Sequence, residues 1–361
     1  MAVLNKQTLR PGERIRVLIV DDSVVIRTLV TQVLSEDPQL EVVGTASNGV
    51  IGLQRVAQLE PHVLTLDIEM PQMDGLELLR HLRTLHPHLR VIMFSTLTER
   101  GATATFEALS LGAHDYVTKA ANGGAIDRSM ARLREDLVPK IKQFFLAPTG
   151  AQPAASARGH QSGQAGWKGL NRLKAVVIGV STGGPAALQA ILPALPADFP
   201  LPILIVQHMP PLFTGLLAER LNATCKLPVG EASQGEQVRE GRILIAPGDF
   251  HMRLAGNDQG AWIHLDQGAP LNSCRPAVDA LFASAGDVYG GAVLAVILTG
   301  MGQDGLRGTE TLKAQGARVL AQDESSSVVW GMPGAVVRAN LADQIVPLDQ
   351  VAAQICAAGA C

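Results

Sequence analysis

The stretch Ile15-Arg16-Val17-Leu18-Ile19-Val20-Asp21-Asp22-Ser23 sets the fold of the first half, and Ala175-Val176-Val177-Ile178-Gly179-Val180-Ser181-Thr182-Gly183-Gly184-Pro185 sets that of the second. Each is a short apolar run that stops abruptly at polar or glycine residues. A strand apolar on both faces belongs inside a parallel sheet covered by helices. Working outward from the first run, further apolar runs follow at Glu41–Ala46, Val63–Leu66, Val91–Phe94 and Ala113–Val117, with stretches of helical period between them. Strands alternating with helices predict a five-stranded, parallel, doubly wound, flavodoxin-like sheet.

From Ala147 to Gly166 the texture changes to Ala, Gly, Pro, Ser and Gln with almost no large apolar residue. Such a segment buries too little surface to fold and reads as a flexible linker. At Lys174 the alternation resumes. Strands are expected at Ala175–Val180, Ile203–Val206, Arg242–Ala246, Met252–Leu254, Trp262–Leu265, Ala292–Leu298 and Val319–Gln322. Helices are expected at Pro185–Leu195, Phe213–Leu221, Ala277–Val288, Gly305–Gln315 and Leu348–Ala358. No helix interrupts residues 242–265, which predicts an antiparallel insertion there. The division is therefore a first α/β domain over residues 14–132, a linker over 133–171 that begins helical, and a larger, mainly parallel α/β domain over 172–358.

The bulk composition narrows the function classes. The chain has 361 residues, 47% of them hydrophobic and 17% charged, with a net charge of −3. A dedicated nucleic-acid binder would carry a basic face, so nucleic acid is not an expected partner. The longest apolar runs, such as Ala292–Leu298, fall far short of the roughly 18 residues a membrane-spanning helix needs. The N-terminus shows no charged-then-apolar export pattern. Cys225, Cys274, Cys356 and Cys361 form no C-x-x-C pair and read as reduced thiols. A cytoplasmic location is expected.

Two sets of chemistry-bearing residues fall at strand ends. In the first half, Asp21 and Asp22 follow the first strand, Asp67 the third, Ser95 the fourth, and Lys119 closely follows the fifth. In an open parallel sheet all carboxyl ends share one edge, where sites form. Three carboxylates gathered there suit a hard cation such as Mg²⁺. A lysine and a hydroxyl beside them suit a transferring phosphoryl group. In the second half, Ser181, His208 and Asp304 each follow a strand of the parallel set. Ser181 would attack a carbonyl, His208 would take and return the proton, and Asp304 would orient the imidazolium. The glycines around Met301 leave backbone N–H groups open to an oxyanion, and the Thr182 N–H just after the serine is a second geometric candidate. Asp249 and His251, in a Gly/Pro loop, receive no role. A dinucleotide site is ruled out, because Ser181 replaces the middle glycine of its fingerprint and Gln207-His208 stand where its acid belongs. A non-catalytic output module that binds DNA lacks a basic recognition helix here.

The first half resembles the response-regulator receiver family through VLIVDDS (17–23), LTLDIEMPQMDGLELL (64–79), MFST (93–96) and GAHDYVTK (112–119). The resemblance implies that Asp67 accepts phosphate from a histidine kinase. It implies that Asp22 and Asp67 hold Mg²⁺ with Asp21 close by, that Ser95 and Lys119 contact the phosphoryl group, and that Tyr116 reports the switch. One departure is Ala120, where receivers carry proline.

The second half resembles the chemotaxis response-regulator protein-glutamate methylesterases. The matching segments are IGVSTGGP (178–185), IVQHMPP (205–211), IAPGDFHM (245–252), CRPAVDALF (274–282), ILTGMGQDG (297–305) and QDESSSVVWGMPGA (322–335). The order Ser…His…Asp is not that of α/β-hydrolases. The resemblance implies Ser181, His208 and Asp304 as a triad and the Met301 N–H as oxyanion donor, with no cofactor in this domain. It implies γ-glutamyl methyl esters on chemoreceptor helices as substrate, releasing methanol, with glutamine deamidation by the same chemistry in some members. The expected partners are a chemotaxis histidine kinase and methylated receptors.

Overall fold

The computed structural model describes residues 9–10, 12–119, 126–145, 173–257 and 260–359. Ala120 and the linker expected at 147–166 lie outside them. The chain divides into two compact units at residue 147.

The first unit alternates strictly: β1 (Ile15–Val20), α1 (Val24–Ser35), β2 (Leu40–Ala46), α2 (Gly49–Leu59), β3 (Val63–Asp67), α3 (Gly75–Leu85), β4 (Arg90–Ser95), α4 (Glu99–Ser110), β5 (Asp115–Thr118) and α5 (Ile126–Lys142). Its five strands run in the order β2-β1-β3-β4-β5, and every pairing is parallel. Strands β3 and β4 are buried at every position, as a sheet covered on both faces requires. Four helices start where a short polar side chain accepts from a backbone N–H three residues on: Ser23 from Ile26, Asn48 from Ile51, Asp74 from Glu77 and Thr98 from Gly101. The chain leaves β1 toward β2 and returns to β3 on its other side. The crevice of this switch point lies at the carboxyl ends of β1 and β3.

Helix α5 runs past the boundary expected at residue 132, as the helical start expected there implies, and continues to Lys142. Leu137 and Ile141 are buried, Lys140 Nζ lies 3.3 Å from Asp115 Oδ1, and Lys142 Nζ lies 2.8 Å from Asp37 Oδ2. Residues 133–145 thus belong to the first unit. Pro139 and the dense charges around it disguise the apolar stripe in the sequence.

The second unit contains β6 (Ala175–Val180), α6 (Gly184–Ile191), β7 (Ile203–Gln207), α7 (Phe213–Asn222), β8 (Val229–Glu231), β9 (Ile243–Ile245), β10 (His251–Asn257), β11 (Gly260–Asp266), α8 (Val278–Tyr289), β12 (Val293–Ile297), α9 (Leu306–Ala314), β13 (Arg318–Gln322), α10 (Met332–Arg338), β14 (Gln344–Val346) and α11 (Leu348–Gly359). Seven strands form one sheet in the order β14-β13-β12-β6-β7-β9-β8, parallel throughout. The central strands β6, β7 and β12 are fully buried.

The antiparallel insertion is smaller than expected. Strands β10 and β11 pair antiparallel, while β9 joins the main sheet beside β7 and β8. The reason is visible in Ile243-Leu244-Ile245, which is buried on both faces and needs a sheet interior. The short strands β8 and β14 and the helix α10 were not expected, because three-residue strands carry too little periodicity to stand out from loops. No helix among the described residues is long and apolar enough to cross a membrane.

Candidate functional site

In the first unit, the switch point gathers the residues expected there. Asp21 and Asp67 are buried and Asp22 is exposed, and carboxylate oxygens of all three lie within 4.8 Å of one another. Lys119 Nζ lies 2.8 Å from Asp67 Oδ1 and 3.0 Å from Asp21 Oδ2. Burial, and then the Asp21 carboxylate, push the Asp67 carboxyl up to about 6 against the pull of Lys119. One ammonium thus faces more negative charge than it balances. Asp21 Oδ2 is buried and makes no well-aligned hydrogen bond. An all-oxygen donor set with surplus negative charge fits a hard divalent cation.

Ser95 is not brought into this cleft. Its hydroxyl donates to Gly101 O at 3.0 Å and accepts from Thr105 Oγ1 at 2.6 Å, so it faces α4. Thr96, its neighbour, lines the cleft with Asp22, Asp67 and Lys119. Tyr116 is buried, with Lys140 Nζ 5.2 Å from its ring centroid.

In the second unit, strand register brings the three expected residues together. Val180 pairs with Gln207, so Ser181 and His208 leave adjacent strands at the same level. Ser181 N donates to Thr299 O at 3.0 Å, which sets the loop after β12 alongside. Helix α6 begins immediately, with Gly183 at φ +78 as its cap. At Gly184 a Cβ would stand 1.9 Å from Gln207 Oε1 and 2.7 Å from Val180 Cγ2, so the turn closes tightly over the strand ends. Ser181 thereby sits at a helix N-terminus, a favourable place for developing negative charge.

His208 Nε2 lies 2.7 Å from Asp304 Oδ2. Asp304 is buried and heavily tied down: its carboxylate accepts from Val278 N at 2.6 Å, Asp279 N at 3.1 Å, Gly305 N at 3.0 Å and Asn272 Nδ2 at 3.1 Å. Burial would raise its pKa, but the His208 bond and these N–H groups together hold it below the usual carboxylate range. Burial likewise disfavours charge on His208, yet Asp304 and Cys274 outweigh it and hold the imidazole up to about 10. The other ring nitrogen, Nδ1, faces Cys274 Sγ at 3.7 Å. Among the described residues no hydrogen bond is made by Ser181 Oγ. Catalytic hydrogen bonds often close only once substrate is seated.

Met301 N makes no backbone hydrogen bond among the described residues. Its turn is fixed from behind, since Gly331 N and Met332 N both donate to Gly300 O. A Cβ at Gly300 would stand 2.9 Å from Ser181 Cβ, which shows how closely the two loops approach. Thr182 is buried, and its carbonyl accepts from Thr299 Oγ1 at 2.9 Å.

Sequence reasoning gave no role to Cys274 or Asn272. Both lie in the loop before α8, and Asn272 also donates to Asp279 Oδ2 at 2.9 Å. The segment CRPAVDALF marks the spot, but a side chain's reach to Asp304 across the chain leaves no periodic trace.

Residues 17–130 match the response regulator receiver domain, and residues 176–355 match the CheB methylesterase domain. A protein-glutamate methylesterase/protein-glutamine glutaminase of Trichodesmium erythraeum is 48% identical over 95% of this chain and 98% of its own length. One from a Nocardioides species is 50% identical over 96% of this chain and 95% of its own. The crystal structure of the Thermotoga maritima CheB methylesterase catalytic domain is 45% identical, covering 51% of this chain and 97% of that one with a TM-score of 0.50. With two relatives matched nearly end to end, the chain belongs to the CheB family of protein-glutamate methylesterase/protein-glutamine glutaminases.

Proposed function

We propose that this chain hydrolyses γ-glutamyl methyl esters on chemoreceptor helices to glutamate and methanol, deamidates receptor glutamines by the same route, and is controlled by phosphorylation of its receiver. The observation that carries this reading is the convergence of Ser181, His208 and Asp304 on one sheet edge, with His208 bound to a buried, fixed carboxylate.

The chemistry follows from which atoms are engaged. Asp304 holds His208 Nε2, so Nδ1 is the nitrogen left to receive a proton. Ser181 Oγ attacks the ester carbonyl while its proton passes to Nδ1. The oxyanion forms against the Met301 N–H, with Thr182 N–H as a second donor. Collapse expels methoxide, which takes the proton from His208 and leaves as methanol. Water then attacks the acyl-serine, His208 takes its proton, and the glutamate carboxyl is released with Ser181 restored. With glutamine the leaving group is ammonia.

In the receiver, Asp67 is the phosphoryl acceptor from a histidine kinase. Asp22 and Asp67, with Asp21, are the residues that would hold Mg²⁺. When bound, the ion supplies positive charge against the phosphoryl oxygens. Lys119 is placed to pair with the same group. For Ser95 to contact it, the hydroxyl must leave Gly101 O and Thr105.

The test is to incubate the full chain with methylated receptor and measure methanol, with and without acetyl phosphate and Mg²⁺. Methanol release that rises with the phosphodonor is expected. No release under either condition overturns the reading.

A further inference from the structure

We propose that Cys274 and His208 form a binding site for a thiophilic divalent cation, of the class of Zn²⁺ and Cd²⁺, and that its occupation shuts the hydrolase off. The inhibitory half rests on the reading of His208 Nδ1 as the catalytic base; the binding half does not.

The geometry begins with the separation of the two donors. His208 Nδ1 and Cys274 Sγ stand 3.7 Å apart. Tetrahedral zinc binds sulfur at about 2.3 Å and imidazole nitrogen at about 2.0–2.1 Å, so two of its ligands sit roughly 3.5 Å from each other. Little movement is needed to seat the ion between them. Asp304 completes the pattern from outside. Its 2.7 Å contact keeps the proton on Nε2 and turns Nδ1 toward Cys274, so that Nδ1 offers its lone pair there once its own proton has left. A carboxylate behind a metal-binding imidazole is the usual arrangement for orienting the ring and raising its basicity.

The thiol is also held in place. Leu271 and Cys274 exchange both backbone hydrogen bonds, at 3.1 and 2.8 Å. Between them Asn272 and Ser273 take left-handed φ values of 50 and 62, the strained backbone of a tight turn. Arg275, next along, is anchored to Asp249 by Nε at 3.0 Å. Cys274 and His208 are only partly covered, so an ion can enter from solvent.

On binding, the Cys274 thiol and the His208 Nδ1–H each give a proton to solvent, and metal–sulfur and metal–nitrogen bonds form. The remaining coordination positions go to water, as befits a reversible site rather than a structural one. The Nδ1 lone pair is then spent on the metal and cannot take the Ser181 proton. Mg²⁺ prefers oxygen ligands in octahedral geometry, so the ion suited to the receiver leaves this site alone.

The test uses the full chain, stripped of metal and titrated with Cd²⁺. Cadmium–thiolate ultraviolet absorbance and methanol release are followed in parallel. Wild type and Ser181→Ala should develop the same absorbance band, and Cys274→Ala should lack it. The concentration for half-inhibition, taken relative to each protein's own metal-free rate, should rise at least tenfold in Cys274→Ala. Cys274→Ser repeats the comparison with the side-chain size kept. A chelator should restore the wild-type rate. An undiminished band in both cysteine variants, or full wild-type activity at saturating Cd²⁺, overturns the proposal. A protein that binds Cd²⁺ through Cys274 but never releases methanol overturns the esterase reading and leaves the ion site standing.

Discussion

His208 Nε2 and Asp304 Oδ2 meet at 2.7 Å although 96 positions separate the two residues in the chain. The meeting is a product of the sheet: β7 and β12 flank β6 on either side, so the loops that follow them converge over the end of β6. Asp304 has further bonds to Val278, Asp279 and Gly305 N–H groups that keep it ionised and in place.

If Asp304 orients His208, then Asp304→Asn should lose about 10⁴ in kcat. It should also lose stability, because its amide NH2 must face a backbone N–H that Asp304 now accepts from. The triple variant Ser181→Ala/His208→Ala/Asp304→Ala should be scarcely worse than Ser181→Ala alone, because residues acting as a unit lose activity non-additively. Losses that multiply would show that at least one of the three works outside the unit.

The pH dependence follows from His208. Asp304 and Cys274 outweigh burial and hold its pKa up to about 10, against an ordinary 6.5. The proton must leave before Nδ1 can act as base, so kcat/KM in metal-free buffer should rise with pH along a limb lying above 6.5. Cys274→Ala removes one of the raising contacts and should move that limb to lower pH. The same shift affects stability. A pKa raised on folding stabilises fully below 6.5, and the contribution is lost as pH rises toward about 10. The wild-type margin over His208→Gln should shrink across that window; a constant margin would contradict the account.

The approach of the β12 loop to the serine is tested at Gly300. A Cβ there would meet Met332 Sδ at 2.4 Å and Ser181 Cβ at 2.9 Å. The thioether can swing away, but Ser181 Cβ is fixed by its backbone. Gly300→Ala should therefore push the Met301 N–H out of line and cost about 10²–10³ in kcat, as loss of one oxyanion donor does. Unchanged turnover would remove Met301 from the oxyanion site.

The crowding at Asp67 makes a separate prediction. Its pKa rises from 3.8 to about 6, mainly through burial and Asp21. That raised value stabilises the fold below 3.8 and the benefit is lost as pH rises through about 6, leaving the ionised group a burden at pH 7. Asp67→Asn should resist denaturant better than wild type at pH 7 without Mg²⁺, and adding Mg²⁺ should narrow the gap by stabilising wild type. The variant should take no label from acetyl phosphate. A less stable variant, or persistent acid-labile label, would contradict the assignment.

Much of this was legible in the sequence, for a definite reason. Residues that follow buried parallel strands must share an edge, so the positions of Asp21, Asp67, Ser181, His208 and Asp304 could be read from apolar runs alone. What stayed hidden depends on side-chain direction or on short elements. The rotation of Ser95 toward Gly101 and Thr105 is one example. The place of Cys274 beside His208 is another, because its loop reaches the site from between β11 and α8. The extent of α5 past residue 132 is a third, because Pro139 and surface charge mask its buried stripe.

The central claim is that Ser181 is the nucleophile. The most direct measurement is the initial rate of methanol release from methylated receptor by Ser181→Ala and by wild type, each phosphorylated and each shown to be folded. The account predicts a loss on the order of 10⁶ in turnover. A variant that keeps even about one tenth of the wild-type rate, against that expected loss, would contradict it.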